Sequence, residues 1–391
     1  MRLLPFDYAI RNLGRSPKRL VLVTSGSTLV SLLVLGSVAF ARGLERSLAA
    51  TGLDTNALLI GSGSEESVER SELPAATADV LAASVDGLAV VAGMPAVSPE
   101  IHVALPARIE RAAGPADAPR RDAPPAVFRG IEPQAFIVHP QVRLVEGRWP
   151  ARGADEIAAS PGALARLGGG AALGTRVEVA GTLFEICGRF EAPGTAMHGE
   201  FWMRLDCLAQ LTQRSTHSCV VAALGDAELD DVDAFTASRL DLESIAMRES
   251  DYYARLGEFF APIRLLVIVT AILISTGGAL GGVNAMYAAF ASRVREVGTL
   301  QALGFSRAAI AVSLLIESTV ACVAGALLAC LIALAALDGI AIDFSMGSFG
   351  LAVDSAAIAS ALAAGALLGI LGALPAIARC LVLSIPAALR A

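Results

Sequence analysis

Residues 20–41 read LVLVTSGSTLVSLLVLGSVAFA, a run with no charged side chain. A helix needs about 20 apolar residues to cross the roughly 30 Å hydrocarbon core of a bilayer. Three later stretches pass the same test. Residues 265–292 carry no charge, residues 308–337 carry one ionisable group, Glu317, and residues 355–378 carry none. Four transmembrane helices are expected, at 20–41, 261–292, 308–337 and 355–378. The first exceeds the roughly 7–15 apolar residues of a signal peptide, and no convincing small-x-small cleavage site follows it. It is expected to stay as an uncleaved span.

Composition agrees. Of 391 residues, 55% are hydrophobic and 17% charged, with mean hydropathy +0.63. A soluble domain carries about 25% charged residues, so a wholly soluble chain is excluded, and so is a disordered one. A net charge of −7 argues against a nucleic-acid binder held by a broad basic face.

Orientation follows from the basic residues near the span ends. Arg2, Arg11, Arg15, Lys18, Arg19, Arg293, Arg295, Arg307, Arg379 and Arg390 face only Asp7 and Glu296 in the segments 1–19, 291–308 and 379–391. The short link 338–354 holds Asp338, Asp343 and Asp354 and no base. Both termini and the connection 293–307 are therefore expected in the cytoplasm. The acidic insert 42–260 and the link 338–354 are expected outside. The fold class read from this pattern is an α-helical membrane protein with four transmembrane helices plus a mixed α/β extracytoplasmic domain inserted between helices one and two.

Within the insert, ARGLERSLAATG (41–52) continues the first helix out of the membrane. DLESIAMRESDYYARLGEFF (241–260) is expected to lead into the second helix in the same way, the two forming a stalk. Strand signals fall at 56–61, 88–94, 125–130, 175–190 and 217–224, with a hairpin turn near Ala180-Gly181. Residues 155–170 read as a strand, a short helix and a glycine stop, and 228–240 as an amphipathic helix with early acids. The proline-rich 111–125 reads as a loop.

Several chemistries are absent. Lys18 is the only lysine in the chain. A phosphate-binding loop G-x-x-x-x-G-K-[ST] needs its lysine on the terminal phosphates, and RSPKRL has no such glycine spacing. An ATP-driven role therefore needs an ATPase in a partner chain. His102, His139, His198 and His217 show no metal-ligand spacing, so a metal site would arise only by tertiary coincidence. No G-x-S-x-G nucleophile elbow is present. Cys187, Cys207 and Cys219 fall in the insert. One disulfide plus a leftover thiol, or three thiols, both fit, and buried thiols are preferred.

The membrane half holds the candidate functional residues. ASRVREVGTLQALGFSRAAI (291–310) reads as a short basic helix, with Val294, Val297, Leu300 and Leu303 as an apolar stripe suited to a partner's groove. Glu317 is an intramembrane carboxylate, which is costly and functional by default. A structural or coupling role is preferred for it over proton transport. Gly277/Gly281, Gly278/Gly282 and Gly365/Gly369 have the spacing of close helix contact, within the chain or between two chains. Leu3, Phe6, Ile10 and Leu13 share one face of an interfacial helix in 1–19.

These segments, in this order, resemble the MacB/FtsX/LolC-type permeases of ABC systems. AIRNLGRSPKRLVL (9–22) resembles their opening segment. RVREVGTLQALGFSRAAI (293–310), followed by Glu317, resembles the family's R-x-R-E-I-G-x-x-x-A-x-G segment. GALPAIARCLVLSIPAALR (372–390) resembles the closing pattern. FRGIEPQAFIVHPQVRLVEGRWP (128–150) and LARLGGGAALGTRVEVAGTLFEICGRF (164–190) resemble the MacB-like periplasmic core domain. The resemblance implies a non-catalytic permease subunit of a bacterial inner-membrane exporter or mechanotransmitter. It implies pairing with a second permease chain, as homo- or heterodimer, and a cytoplasmic ABC ATPase subunit that binds ATP and Mg²⁺. A periplasmic adaptor protein is a further partner the family allows; no cofactor is expected in this chain. By resemblance the coupling helix holds Arg293, Arg295, Glu296, Val297, Gly298, Leu300, Leu303 and Gly304. Val297 replaces the usual isoleucine, and Gln301 stands where a basic residue is common. The competing reading is an FtsX-like scaffold that activates an extracellular cell-wall hydrolase. A membrane-anchored enzyme ranks last.

Overall fold

The computed structural model describes residues 17–110, 123–291, 294–337, 340–344 and 347–382. Residues 1–16 of the interfacial helix expected in 1–19, residues 111–122 of the proline-rich 111–125, Arg293 and residues 383–391 of the tail expected from 379 fall outside these residues, while 17–19 open the first apolar helix. The chain divides into two compact units. One comprises Met1–Arg42, Pro262–Ile340 and Leu351–Ala391; the other comprises Gly43–Ala261 and Ala341–Gly350.

Four helices are long and apolar enough to cross a membrane. They are the first apolar helix (Pro17–Thr51), the second (Ala261–Ala291), the third (Arg307–Ala336) and the fourth (Ser355–Val382). Small residues and hydroxyls hold the first unit together. A methyl group on Gly365 would lie 2.6 Å from the Cβ of Ala326, and one on Gly369 2.6 Å from the Cα of Thr319. Only glycine lets the third and fourth helices approach so closely. Ser318 Oγ donates to the Gly369 carbonyl at 2.6 Å, Ser27 Oγ to the Cys322 carbonyl at 2.7 Å, and Thr28 Oγ1 to the Gly325 carbonyl at 3.0 Å. Where lipid is as apolar as leucine, such contacts replace a hydrophobic driving force. The other glycine pairs differ. Gly278 packs on Val30 and Gly282 reaches Leu368, while Gly277 and Gly281 have nothing within 4 Å.

The second unit is mixed α/β. Its main strands are β1 (Asn56–Gly61), β2 (Val97–Ile109), β3 (Pro125–Ile131), β4 (Arg143–Gly147), β5 (Glu156–Ala159), β6 (Arg176–Val179), β7 (Thr182–Glu191), β8 (Glu200–Arg204), β9 (Cys219–Ala223) and β10 (Ser244–Arg248). They form one ten-stranded sheet in the order β10-β1-β9-β2-β3-β8-β5-β7-β4, with β6 pairing both β7 and β2. Six of them close on themselves: β2 pairs β3, β3 pairs β8, β8 pairs β5, β5 pairs β7, β7 pairs β6 and β6 returns to β2. Closure removes sheet edges.

The interior of this ring is filled by every second residue. Ile101 and Ala107, Ala126 and Phe128, Ile157 and Ala159, Val177 and Val179, Phe184 and Ile186, and Phe201 and Met203 are all buried in one core. This is the period-two alternation of strands. Phe128 and Phe201 stack with centroids 5.1 Å apart. Helices α1 (Thr77–Ser84), α2 (Ala135–Val138), α3 (Pro161–Arg166), α4 (Leu205–Thr212), α5 (Leu229–Ser238) and α6 (Glu249–Phe259) surround the sheet. Leu164 of α3 and Leu205 and Leu208 of α4 join the ring core. Leu81 of α1 and Val232 and Phe235 of α5 pack with Leu59, Val220 and Ala222 in a second core.

The hairpin at Ala180-Gly181 lies where the sequence puts it, with both residues at positive φ (47° and 89°) as a tight two-residue turn requires. Two readings are corrected. Residues 88–94 are not one strand: Val90–Val91 and Met94–Pro95 form a minimal hairpin, and the long strand β2 follows it. The helix expected from 241 starts only at Glu249, because 244–248 pair with β1 as β10. Within the link 338–354, Ala341–Phe344 and Gly347–Gly350 form a hairpin of the second unit, with Phe349 buried.

Gly369→Leu should force the third and fourth helices apart and cost about 1–3 kcal/mol, the usual penalty of overpacking. Gly281→Leu, which meets open space, should not. Thermal unfolding of the two purified variants in detergent distinguishes them, and equal losses would show that the close approach at Gly369 is not limiting.

Candidate functional site

Two arrangements carry chemistry, one in each unit. The first lies on the outer face of the ring. If Ile101, Phe128, Phe201 and Met203 point inward, then Glu100, His102, Arg129, Glu200 and Trp202 point outward. Register sets them side by side: His102 faces Arg129, Trp202 faces Arg129, and Glu100 faces Cys219. All are buried. Arg129 Nε and Nη2 donate to the two oxygens of Glu200 at 2.7 Å each, and Nη1 donates to Glu100 Oε2 at 2.8 Å. Trp202 Nε1 donates to Glu200 Oε2 at 2.8 Å, and the guanidinium lies over the Trp202 ring.

His139, after α2, brings Nε2 to 2.8 Å from Glu100 Oε1. Its Nδ1 lies 3.8 Å from Oε1 of Glu249, the first residue of α6. Glu249 Oε2 accepts from Leu53 N–H at 3.1 Å and Asn56 Nδ2 at 2.8 Å. The same point holds the end of the first apolar helix. Gln141 Nε2 donates to the Thr51 carbonyl at 3.0 Å, and Thr51 Oγ1 accepts from Ala196 N–H at 2.7 Å. Gly52 lies so close that a side chain there would meet the Glu249 carbonyl at 2.7 Å.

The charges respond to this setting. Burial pushes Glu100 up, but the charges of His139 and Arg129 and the hydrogen bonds from both histidines overcome it and hold the carboxyl well below the usual range. Burial likewise opposes ionisation of Glu200, and Arg129 more than offsets it. Burial and then the Arg129 charge push His102 down, so it stays neutral at pH 7. Burial also works against a cation at His139, yet Glu100 and then Glu249 raise it. Glu249 is raised by its own burial.

Glu100, His102 and Cys219 bring ligand-type atoms within 4.8 Å of one another, the one grouping of that kind among the described residues. Both oxygens of Glu100 are already engaged by Ser98, His102, Arg129 and His139. With a guanidinium at 2.8 Å, the cluster is an ion-pair core and repels a metal cation. Cys187, Cys207 and Cys219 are free thiols, Cys219 buried and the other two half-buried.

The second arrangement is the connection between the second and third apolar helices. Helix α7 (Val294–Ala302) runs through it. Val297 is buried against Ile310 and Ala376, with Val294 and Leu300 packed beside it. The expected stripe therefore divides. Three of its members face the chain's own helices, and Leu303, 68% exposed, lies past the helix end. Gly298 is buried, whereas Arg295, Glu296, Thr299 and Gly304 are exposed. Gln301, where the family pattern often has a base, is buried instead. Glu317 is 2% exposed, so its carboxylate is packed among the helices and does not snorkel to the surface.

A family model for the MacB-like periplasmic core domain matches residues 20–237, and one for the FtsX-like permease C-terminal matches residues 268–385. The chain belongs to the MacB/FtsX-like permease family. With four membrane-capable helices, this permease is a multi-pass membrane protein of the ABC-type permease kind. It is 34% identical over 117 residues to the macrolide export ATP-binding/permease protein MacB of Shewanella sp. (strain W3-18-1), and 33% identical over 117 residues to that of Shewanella oneidensis. Each match covers 30% of this chain and 18% of the relative. The periplasmic region of MacB from Actinobacillus actinomycetemcomitans is similar at 12% identity and TM-score 0.40, over 55% of this chain and 97% of that one. The extracellular domain of the noncanonic ABC-type transporter YknZ from Gram-positive bacteria is similar at 15% identity and TM-score 0.37, over 49% and 100%.

The ionic core escaped the sequence reading because Pro99 and Pro106 interrupt β2, and proline argues against a central strand. The usable signal was Glu100-x-His102 beside Glu200-x-Trp202, polar residues at period two within otherwise apolar runs. Arg129→Met should leave Glu100 and Glu200 buried without their shared cation and cost about 3–5 kcal/mol. The check is the shift of the denaturation midpoint in the purified permease. A loss below about 1 kcal/mol would show the pair to be unimportant for stability.

Proposed function

We propose that this chain is the permease subunit of an ABC-type exporter or mechanotransmission complex. A partner ATPase docks on its cytoplasmic side, binds ATP and Mg²⁺, and hydrolyses ATP. The exposed side of α7, with Arg295, Glu296, Thr299 and the adjoining Leu303, is the surface the ATPase grips. Arg293 belongs to the same motif. The buried side, Val297 and Leu300 against Ile310, passes the force into the helices. Glu317, buried in the third helix, has a structural or coupling role. Two permease chains pair, with Gly277 and Gly281 as small residues still open to contact. The α/β unit lies outside the cytoplasmic membrane, both termini lie inside, and a periplasmic adaptor is a further partner the family allows.

The observation that carries this reading is the two-sidedness of α7. A short helix between two apolar helices is anchored by one face and presents mixed polar and apolar groups on the other. Its surroundings are basic, which fits the cytoplasmic side. The substrate is of the class handled outside or in the outer leaflet: a lipoprotein, lipid, peptide or drug. The macrolide exporters it resembles support export, and the extent of the MacB-like match supports it over an FtsX-like scaffold that drives a cell-wall hydrolase.

Co-purification with a candidate ABC ATPase tests the assignment. Leu303→Asp and Glu296→Ala should each lower permease-bound ATPase or its coupled turnover by about tenfold (about 1.4 kcal/mol) without changing the melting temperature. Val297→Ala should instead lower the melting temperature. Unchanged complex formation and unchanged turnover in Leu303→Asp and Glu296→Ala would remove α7 as the coupling element.

A further inference from the structure

His139 Nδ1 is buried and has no hydrogen-bond partner. Opposite it, 3.8 Å away, is Glu249 Oε1. The other side of each group is occupied: His139 Nε2 meets Glu100, and Glu249 Oε2 takes Leu53 N–H and Asn56 Nδ2. With His139 neutral and its proton on Nε2 toward Glu100, a nitrogen lone pair faces a carboxylate oxygen. Two acceptors facing each other in a buried site repel. One proton between them turns the repulsion into attraction.

We propose that His139 takes one proton from solvent and pairs as a cation with Glu249, and that this proton closes a clasp binding the ends of two helices to the sheet. One end is Thr51-Gly52-Leu53, where the first apolar helix stops. The other is Glu249, where α6 starts. Both converge on Glu249 and on the His139 segment, since Asn56 Nδ2 also donates to the Val138 carbonyl at 2.8 Å and Gln141 holds the Thr51 carbonyl.

The groups facing the pair favour the proton. Glu100 on β2 and Glu200 on β8 are anionic and buried, and Arg129 on β3 is the buried cation between them. Arg129 Nη1 lies 3.4 Å from His139 Nε2 and opposes the charge, but Glu100 and Glu249 outweigh it. His102 on β2 stays neutral, and burial keeps Cys219 on β9 and Tyr253 on α6 protonated. The sign follows. His139 is raised above its unfolded value of 6.5, so the stabilisation is complete below that value and is lost as pH rises through the folded value. The clasp is tight in mild acid and loosens in alkali.

The test uses the full permease chain alone, in detergent. No ATPase is involved, so failure here leaves the coupling role of α7 untouched, and failure there leaves the clasp untouched. Hydrogen–deuterium exchange is read by mass spectrometry at about pH 6 and about pH 9, with protection corrected for intrinsic exchange. In the wild type, peptides covering 47–57 and 245–256 should lose about tenfold protection at the higher pH, and the hairpin 176–190 should lose none. Glu249→Gln offers an amide N–H to Nδ1 and needs no proton, so protection should be equal at both pH values. His139→Gln should also abolish the pH dependence; if that variant fails to fold, Glu249→Gln decides. A wild type with no loss in these peptides, or a loss that persists in Glu249→Gln, overturns the proposal.

Discussion

Arg129 stands buried between two buried carboxylates. A guanidinium can satisfy both because it is planar and forked: two donors reach Glu200 and a third reaches Glu100. The arrangement constrains the whole second unit. It requires β2, β3 and β8 to keep one register, since a one-residue slip would carry Arg129 into the ring interior and Phe128 out of it. Buried ion pairs add little net stability after desolvation. Their effect here is to exclude alternatives, because every wrong register buries an unpaired charge. The apolar filling of the ring supplies the driving force, and the ionic face selects the pairing.

The two units solve the burial problem by opposite means. In the α/β unit, apolar side chains leave water, and buried charged side chains are gathered into one ionic network around Arg129. In the apolar helices that driving force is absent, so association rests on close approach and on hydroxyls that donate to carbonyls of neighbouring helices. Gly365 and Gly369 on the fourth helix and Ser27, Thr28 and Ser318 on its neighbours are the residues that do this. The second helix, nearly unburied within the single chain, is held least.

Helix α7 shows how periodicity underdetermines a surface. A stripe at 294, 297, 300 and 303 marks one side of a helix, but not what covers that side. The fold covers three of the four with the chain's own third and fourth helices. What remains exposed is the polar side and Leu303. Gly298, prominent as a motif residue, is buried, which fits a packing role better than contact with another protein.

Much was legible from the residues alone. Uncharged length gave the four apolar helices, because desolvating a charge in hydrocarbon is too costly to escape notice. Alternation and turn chemistry gave β1, β3, β9, the 176–191 hairpin and the helix at 229–238. Order and spacing of short motifs were enough for the family. Three things needed the tertiary structure. β10 reads as helix because 244–248 lie beside a strong helical run, and only the vacant edge of β1 makes them a strand. The ring closure depends on β6 pairing with β2 across a sequence separation no local signal spans. The ionic core depends on residues from 100, 129, 139, 200 and 249 meeting at one point. Each is unremarkable in its own segment, and its meaning comes from a shared dry environment in which no charge can remain unpaired.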